Sequence, residues 1–269
     1  MKTIGSTIIM LALASSLFAD NGKELKLASP DGTHEIVFYQ KQVSPAVNEL
    51  CYRVDYKSQP VVNESRAGLE LDNRIWEMAL GVRNLKQPAC WMDNLEVDSV
   101  TYQPETNLTW QPLYGERSSV RDHYRAGTLC LSKKDNSGYR LNIEVRAYNE
   151  GVAFRYFFPE HPKAIFHKVV GDLTEYALPA GTKAWTEQWA QAFFERLNID
   201  DIKHPVERAL TFELPNGKWA ALADADVDDW CLTKYLVSTD KKNTLTSVMY
   251  SPVDVVTYYA TPWKIVMAG

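Results

Sequence analysis

The sequence predicts an all-β fold, a large antiparallel sandwich with few short helices. Two observations lead to it: a side-chain period of two along most of the chain, and turn residues spaced between the alternating runs. Leu50, Tyr52, Val54 and Tyr56 alternate with Cys51, Arg53, Asp55 and Lys57. Tyr139, Leu141, Ile143, Val145 and Ala147 alternate with Arg140, Asn142, Glu144 and Arg146. Each set places apolar side chains on one sheet face and polar ones on the other.

Taken in order, the elements begin with Ser29-Pro30-Asp31-Gly32, a turn that precedes a strand over His34–Tyr39. Asn149-Glu150-Gly151 separates the strand ending at Tyr148 from one over Val152–Phe158. Pro215-Asn216-Gly217-Lys218 joins Leu210–Leu214 to Trp219–Ala223, and Asn-Gly between two such runs is a hairpin signal. Sustained helical periodicity is scarce; the stretch Trp189–Leu197 is expected to form one or two helical turns. No linker, repeat or low-complexity tract divides the chain, so residues 20–269 are expected to form one domain.

Before that domain, Lys2 leads into an apolar run from Ile8 to Phe18, and Ala19 gives way to Asp20-Asn21-Gly22-Lys23. This order reads as a secretory signal peptide over residues 1–19. The run is too short to span a bilayer comfortably, and no later stretch reads as a transmembrane helix. With 29 basic and 34 acidic residues the net charge is −5, and no basic block points to nucleic acid. Cys51, Cys90, Cys130 and Cys231 lack the close spacing of a metal site, so most are expected as free thiols, with one bridge open.

Two acidic groups invite a chemical reading. Asp224, Asp226, Asp228 and Asp229 are dense but lack the glycine-containing spacing of an EF-hand, so a solvated acidic turn after a strand ending at Ala223 is expected. Glu116 stands beside Arg117, which favours the ionised carboxylate, a poor general acid. That pair reads better as a turn brace or an interdomain contact. His123 has no second histidine at ligand spacing.

Four ordered segments carry a resemblance. They are Trp110-Gln111-Pro112-Leu113-Tyr114-Gly115-Glu116-Arg117, continuing through Val120-Arg121-Asp122-His123-Tyr124; Arg146 to Tyr156 (RAYNEGVAFRY); Ala223 to Trp230 (ADADVDDW); and Thr261 to Gly269 (TPWKIVMAG). Together they resemble the N-terminal domain of glycoside hydrolase family 97. The resemblance implies a β-super-sandwich of galactose-mutarotase type, carried by an exported α-glucosidase or α-galactosidase, periplasmic in a Gram-negative bacterium. It implies a catalytic (β/α)8 barrel in cis, starting where this chain ends and holding the catalytic carboxylates, so no catalytic residue is expected here. Two departures stand out: Glu150 where the family commonly has Asp, and Lys264 where it commonly has Arg, both expected to be mild.

By the same resemblance, Trp185–Glu195 corresponds to a loop that reaches the barrel's active site and, in calcium-dependent members, supplies a glutamate to the metal. Gln191 falls at that glutamate's position, with Glu187 and Glu195 as alternatives. Gln191 and Glu195 are thus the candidate calcium ligands; Trp185, Glu187, Trp189 and Gln191 are the candidate substrate-loop residues. Flat indole faces at Trp185 and Trp189 suit stacking on a sugar ring. The expected partners are an α-linked oligosaccharide and the barrel. The alternative function is a free-standing carbohydrate-binding module, for which the 12% aromatic content is the motive.

Overall fold

The computed structural model describes residues 23–45, 47–75, 89–90, 95–133, 139–161 and 165–269; the signal peptide expected over 1–19 lies outside them. In chain order the strands are β1 (Glu24–Ala28), β2 (His34–Ser44), β3 (Val47–Tyr56), β4 (Gln59–Arg66), β5 (Leu69–Leu71), β6 (Ala89–Cys90) and β7 (Leu95–Trp110). They continue as β8 (Val120–Lys133), β9 (Arg140–Tyr148), β10 (Gly151–Phe158), β11 (Phe166–Asp172), β12 (Glu175–Ala177), β13 (Lys183–Thr186) and β14 (Glu195–Asn198). The last are β15 (Leu210–Glu213), β16 (Trp219–Ala225), β17 (Thr233–Val237), β18 (Thr244–Met249), β19 (Val253–Val256), β20 (Tyr259–Ala260) and β21 (Trp263–Ala268). A 3₁₀ turn, Ile199–Asp201, follows β14.

One ten-stranded antiparallel sheet runs β14-β13-β15-β16-β21-β10-β9-β8-β7, with β20 beside β10. Three smaller sheets, β1-β2-β3-β4, β19-β11-β5-β6 and β12-β18-β17, form the opposing layer. The layers meet through rings. Phe38 of β2 and Tyr52 of β3 lie 5.1 and 5.0 Å from Phe154 of β10, and Tyr176 of β12 packs on Tyr52 at 6.4 Å. His167 of β11 stacks on Phe158 at 4.9 Å. These contacts make one continuous core with Leu141, Ile143, Val145, Phe212 and Val266, as a two-layer all-β architecture requires.

The anticipated strands form, with β2, β3 and β16 extending beyond the expected limits. The Asn149-Glu150 turn brings β9 into register with β10, pairing Gly151 with Tyr148. Gly151 has no substitute: a Cβ there would lie 2.5 Å from the Val266 carbonyl oxygen and 2.9 Å from Met267 Cα. Trp189–Leu197 does not form the expected helical turns. Its backbone makes one tight turn, Ala192 N to Trp189 O at 2.8 Å, then enters edge strand β14. Pairing with β13 satisfies its backbone groups better than an isolated turn of helix would. Cys51, Cys130 and Cys231 are free thiols.

Polar residues inside the sandwich form a connected network. The Lys264 ammonium donates to the Asp172 carboxylate, both buried, with Ser247 Oγ at 3.4 Å. Across the β16–β21 pair from Lys264, Asp224 accepts from Arg208 Nη1 and Thr233 Oγ1, each at 2.6 Å. Two expectations change as a result. Strand β16 continues past Ala223 to Ala225, and Asp224 faces the core with its side chain 6% exposed, not a solvated turn. Asp226 and Asp229 then adopt positive φ (58° and 47°), which ends the alternation before the carboxylates can line one face. Lys264 lies near the start of β21 and is buried, with its ammonium on Asp172.

Candidate functional site

The candidate loop is the connection between β13 and β14, at the edge of the large sheet. Register fixes its base: Thr186 sits opposite Glu195, and Thr186 Oγ1 donates to the Glu195 carbonyl at 3.2 Å. The incoming arm is tied down from two further directions. Glu207 N donates to the Glu187 carbonyl at 2.9 Å. Lys234 of β17 sends its ammonium to the Gln188 carbonyl at 2.8 Å and to the Glu207 carboxylate at 2.7 Å. Burial works against the charged form of Lys234, but bonding to Glu207 and Tyr250 outweighs it, and its pKa is raised. The ammonium therefore stays charged through the neutral range.

Above this anchored base the loop is exposed. Trp189 is 53% exposed, Phe194 65% and Phe193 93%. Ala190 and Gln191 are exposed at the turn, Glu195 is exposed at the start of β14, and Glu187 is half-buried. Trp185 lies on the outer face of β13, where its Nε1 donates to Glu213 Oε1 at 2.8 Å. Arg196, paired with Trp185 across the hairpin, donates from Nε to the same oxygen at 2.9 Å and from Nη2 to the other. Bonding from Arg196, then Trp185, holds the Glu213 carboxyl at about 2 against slight desolvation. Trp185 thus has a fixed ring orientation, with part of its surface open.

The fold gathers the candidates into one edge connection without assembling a metal centre. Among the described residues no group of three or more His, Cys, Asp or Glu side chains is placed to hold a metal ion. Calcium takes six to eight oxygens, so Gln191 and Glu195 do not make a calcium site by themselves. The positioning residues Glu213, Arg196, Lys234 and Glu207 were not singled out in sequence. Glu213 was legible as a polar-face residue of the Leu210–Leu214 run; the Lys234 tie, 46 positions from its acceptor, leaves no local signal.

The other residues with a chemical reading lie elsewhere. Glu116 and Arg117 are both exposed in the β7–β8 connection, with no ion pair between them, so the turn-brace reading does not hold. His123 Nε2 contacts Glu105 at 2.7 Å within the hairpin.

Residues 27–269 match the family model described as "Glycosyl-hydrolase 97 N-terminal". A retaining alpha-galactosidase from Bacteroides thetaiotaomicron is 23% identical over 263 residues, covering 91% of this chain and 35% of that protein. A glycoside hydrolase family 97 enzyme from Pseudoalteromonas sp. strain K8, solved with acarbose, superposes with a TM-score of 0.78 at 21% identity, over 91% of this chain and 35% of its own. A β-arabinopyranosidase follows at 0.75 and 17%, over 91% and 40%. The chain thus spans about a third of the length of the first relatives it matches. It belongs to the glycosyl-hydrolase 97 N-terminal family.

Proposed function

We propose that the chain is the carbohydrate-associated N-terminal domain of an exported, periplasmic α-glycosidase, an α-glucosidase or α-galactosidase. In this reading it packs on a catalytic (β/α)8 barrel and presents the Trp185–Glu195 connection to the barrel's substrate pocket. The observation that carries the reading is a loop with a rigid base and an exposed aromatic tip, Trp189, Phe193 and Phe194. Exposed aromatic surface of this kind is characteristic of a face that meets a partner or ligand. Trp189 and Trp185 offer ring faces to an α-linked oligosaccharide, and Gln191 offers a neutral donor and acceptor. Bond cleavage belongs to the barrel. If calcium is held there, this chain's share is one oxygen from Gln191 or Glu195.

The test begins with the coding sequence beyond Gly269, where the reading requires a barrel-encoding region in frame. In the enzyme carrying both parts, Trp189→Ala and Gln191→Ala should raise KM for α-glycosides while leaving the thermal midpoint unchanged. Absence of a barrel-encoding region, or wild-type kinetics in both variants, removes the proposal.

A further inference from the structure

A second site lies on the same outer sheet face, toward the β7 edge and away from the loop. Two clefts adjoin there. The smaller, about 350 Å³, is walled by Val152, Ile265 and Met267. The larger, about 750 Å³, is walled by Gln103, Thr106, Thr128 and Glu144. Arg146 and Trp263 line both.

The charges in the larger cleft are mostly matched. Glu105 turns to the opposite sheet face, where His123 Nε2 at 2.7 Å and Arg125 Nε at 2.9 Å hold its carboxylate. Glu144 is held by Arg155 Nε at 2.6 Å, and Arg155 also reaches Asp226. Arg146 is the exception. Its guanidinium lies 4.6 Å from the Tyr124 ring and 4.6 Å from the Trp263 ring. Among the described residues its one polar contact is Nη1 donating to Tyr148 OH at 3.5 Å. Glu150, in the smaller cleft, stays beyond ion-pair reach, so Arg146 has no carboxylate partner among the described residues.

Stacking against two rings fixes the plane of a guanidinium and leaves its hydrogen-bonding edges available. A pre-set fork of this kind matches a carboxylate bidentately. The surrounding Gln103, Thr106 and Thr128, which strand register places on the Arg146 face, offer the donors and acceptors that hydroxyl groups need, and the cleft has the size of a small-ligand site. We propose that this cleft binds an acidic oligosaccharide, a uronate-bearing sugar, with its carboxylate on Arg146 and its hydroxyls on Gln103, Thr106 and Thr128. The site is separate from the loop and does not depend on a barrel.

The test titrates the 269-residue chain with trigalacturonate, maltotriose and acetate, read by calorimetry, with the thermal midpoint as the folding control. The expected result is saturable binding of trigalacturonate alone, weakened at least about tenfold in Arg146→Gln and in Arg146→Lys, which keeps the charge but loses the fork. Gln103→Ala, on the same sheet face as Arg146, should weaken it about threefold through lost hydroxyl contacts, and carries the test if either Arg146 variant fails to fold. No binding of trigalacturonate up to about 10 mM, equal binding of maltotriose, equal binding of acetate, or unchanged affinity in a folded Arg146→Lys protein would each overturn the proposal.

Discussion

Asp172→Asn isolates the cost of a buried, unmatched charge. Asp172 Oδ2 meets the Lys264 ammonium, while its Oδ1 accepts from Thr174 N at 3.0 Å and Thr174 Oγ1 at 2.6 Å. Asparagine keeps an acceptor for Thr174 but presents a neutral amide to Lys264. Burial disfavours the charged Lys264, and the attraction of Asp172 and Asp224 more than offsets this, so its pKa is raised. A lysine raised in this way contributes fully below its unfolded value and loses the contribution only as pH climbs through the folded one, so pH 7 is the place to measure. Breaking a buried pair costs about 3–5 kcal/mol. For a chain of this size that lowers the midpoint by roughly 6–20 °C. Calorimetric or circular-dichroism melts of the wild type, Asp172→Asn, Lys264→Met and the double variant form a cycle. Removing both charges should be less harmful than the sum of the single changes, with a coupling of about 1–3 kcal/mol. Additive losses, or a loss below about 1 kcal/mol in Asp172→Asn, would refute a native-state ion pair at this position.

Gly151→Ala should cost about 1–3 kcal/mol by overpacking against the Val266 carbonyl; an unchanged urea midpoint would mean that β10 and β21 do not approach so closely. Lys234→Met removes the tie to Gln188 and leaves Glu207 without its buried partner, so the melting midpoint should fall, and chymotryptic cutting at Trp189, Phe193 and Phe194, measured well below that midpoint, should speed several-fold; an unchanged cleavage rate would show that the tie does not anchor the loop. Glu213 has a folded pKa of about 2, so its contribution is present above the ordinary carboxylate range and lost as pH falls through about 2. The Trp185 indole NMR resonance should therefore stay constant from pH 7 down to 4 in the wild type and be displaced in Glu213→Gln at every pH; a wild-type shift centred between pH 4 and 5 would contradict the Arg196 pairing.

The sheet was legible in sequence wherever one residue's environment depended on its neighbours two positions away. Leu141, Ile143, Val145 and Ala147 are all buried, as their alternation required. Legibility failed where polar residues took inward positions. Lys264 lies 92 positions from Asp172, and Asp224 lies 16 from Arg208, so the partners that make their burial tolerable are brought together only by the sheet. Local pattern therefore assigned Asp224 to a solvated turn with Asp226, Asp228 and Asp229, the last three of which are exposed. The expected helical turns failed for a related reason. Ala190, Phe193 and Leu197 occur at intervals that imitate helical spacing, while pairing with β13 decided the conformation from Glu195 onward. The loop's candidates were legible as residue types, but Trp185's orientation depends on Glu213, 28 positions on, and the loop's height depends on Lys234.

The connection that carries those candidates combines two properties that local physics sets against each other. Leaving Phe193 and Phe194 in water forgoes about 1.5–3 kcal/mol each relative to full burial. A flexible loop would relieve part of that by folding the rings back onto the sheet. The ties at Glu187 and Gln188, with the Thr186–Glu195 pairing, prevent this by fixing where the loop leaves and re-enters the sheet. In the proposed reading the covering surface is the barrel, and the rigid base means that little ordering entropy is lost when the rings are buried against it. Loosening the base should then weaken that contact even with every exposed ring retained.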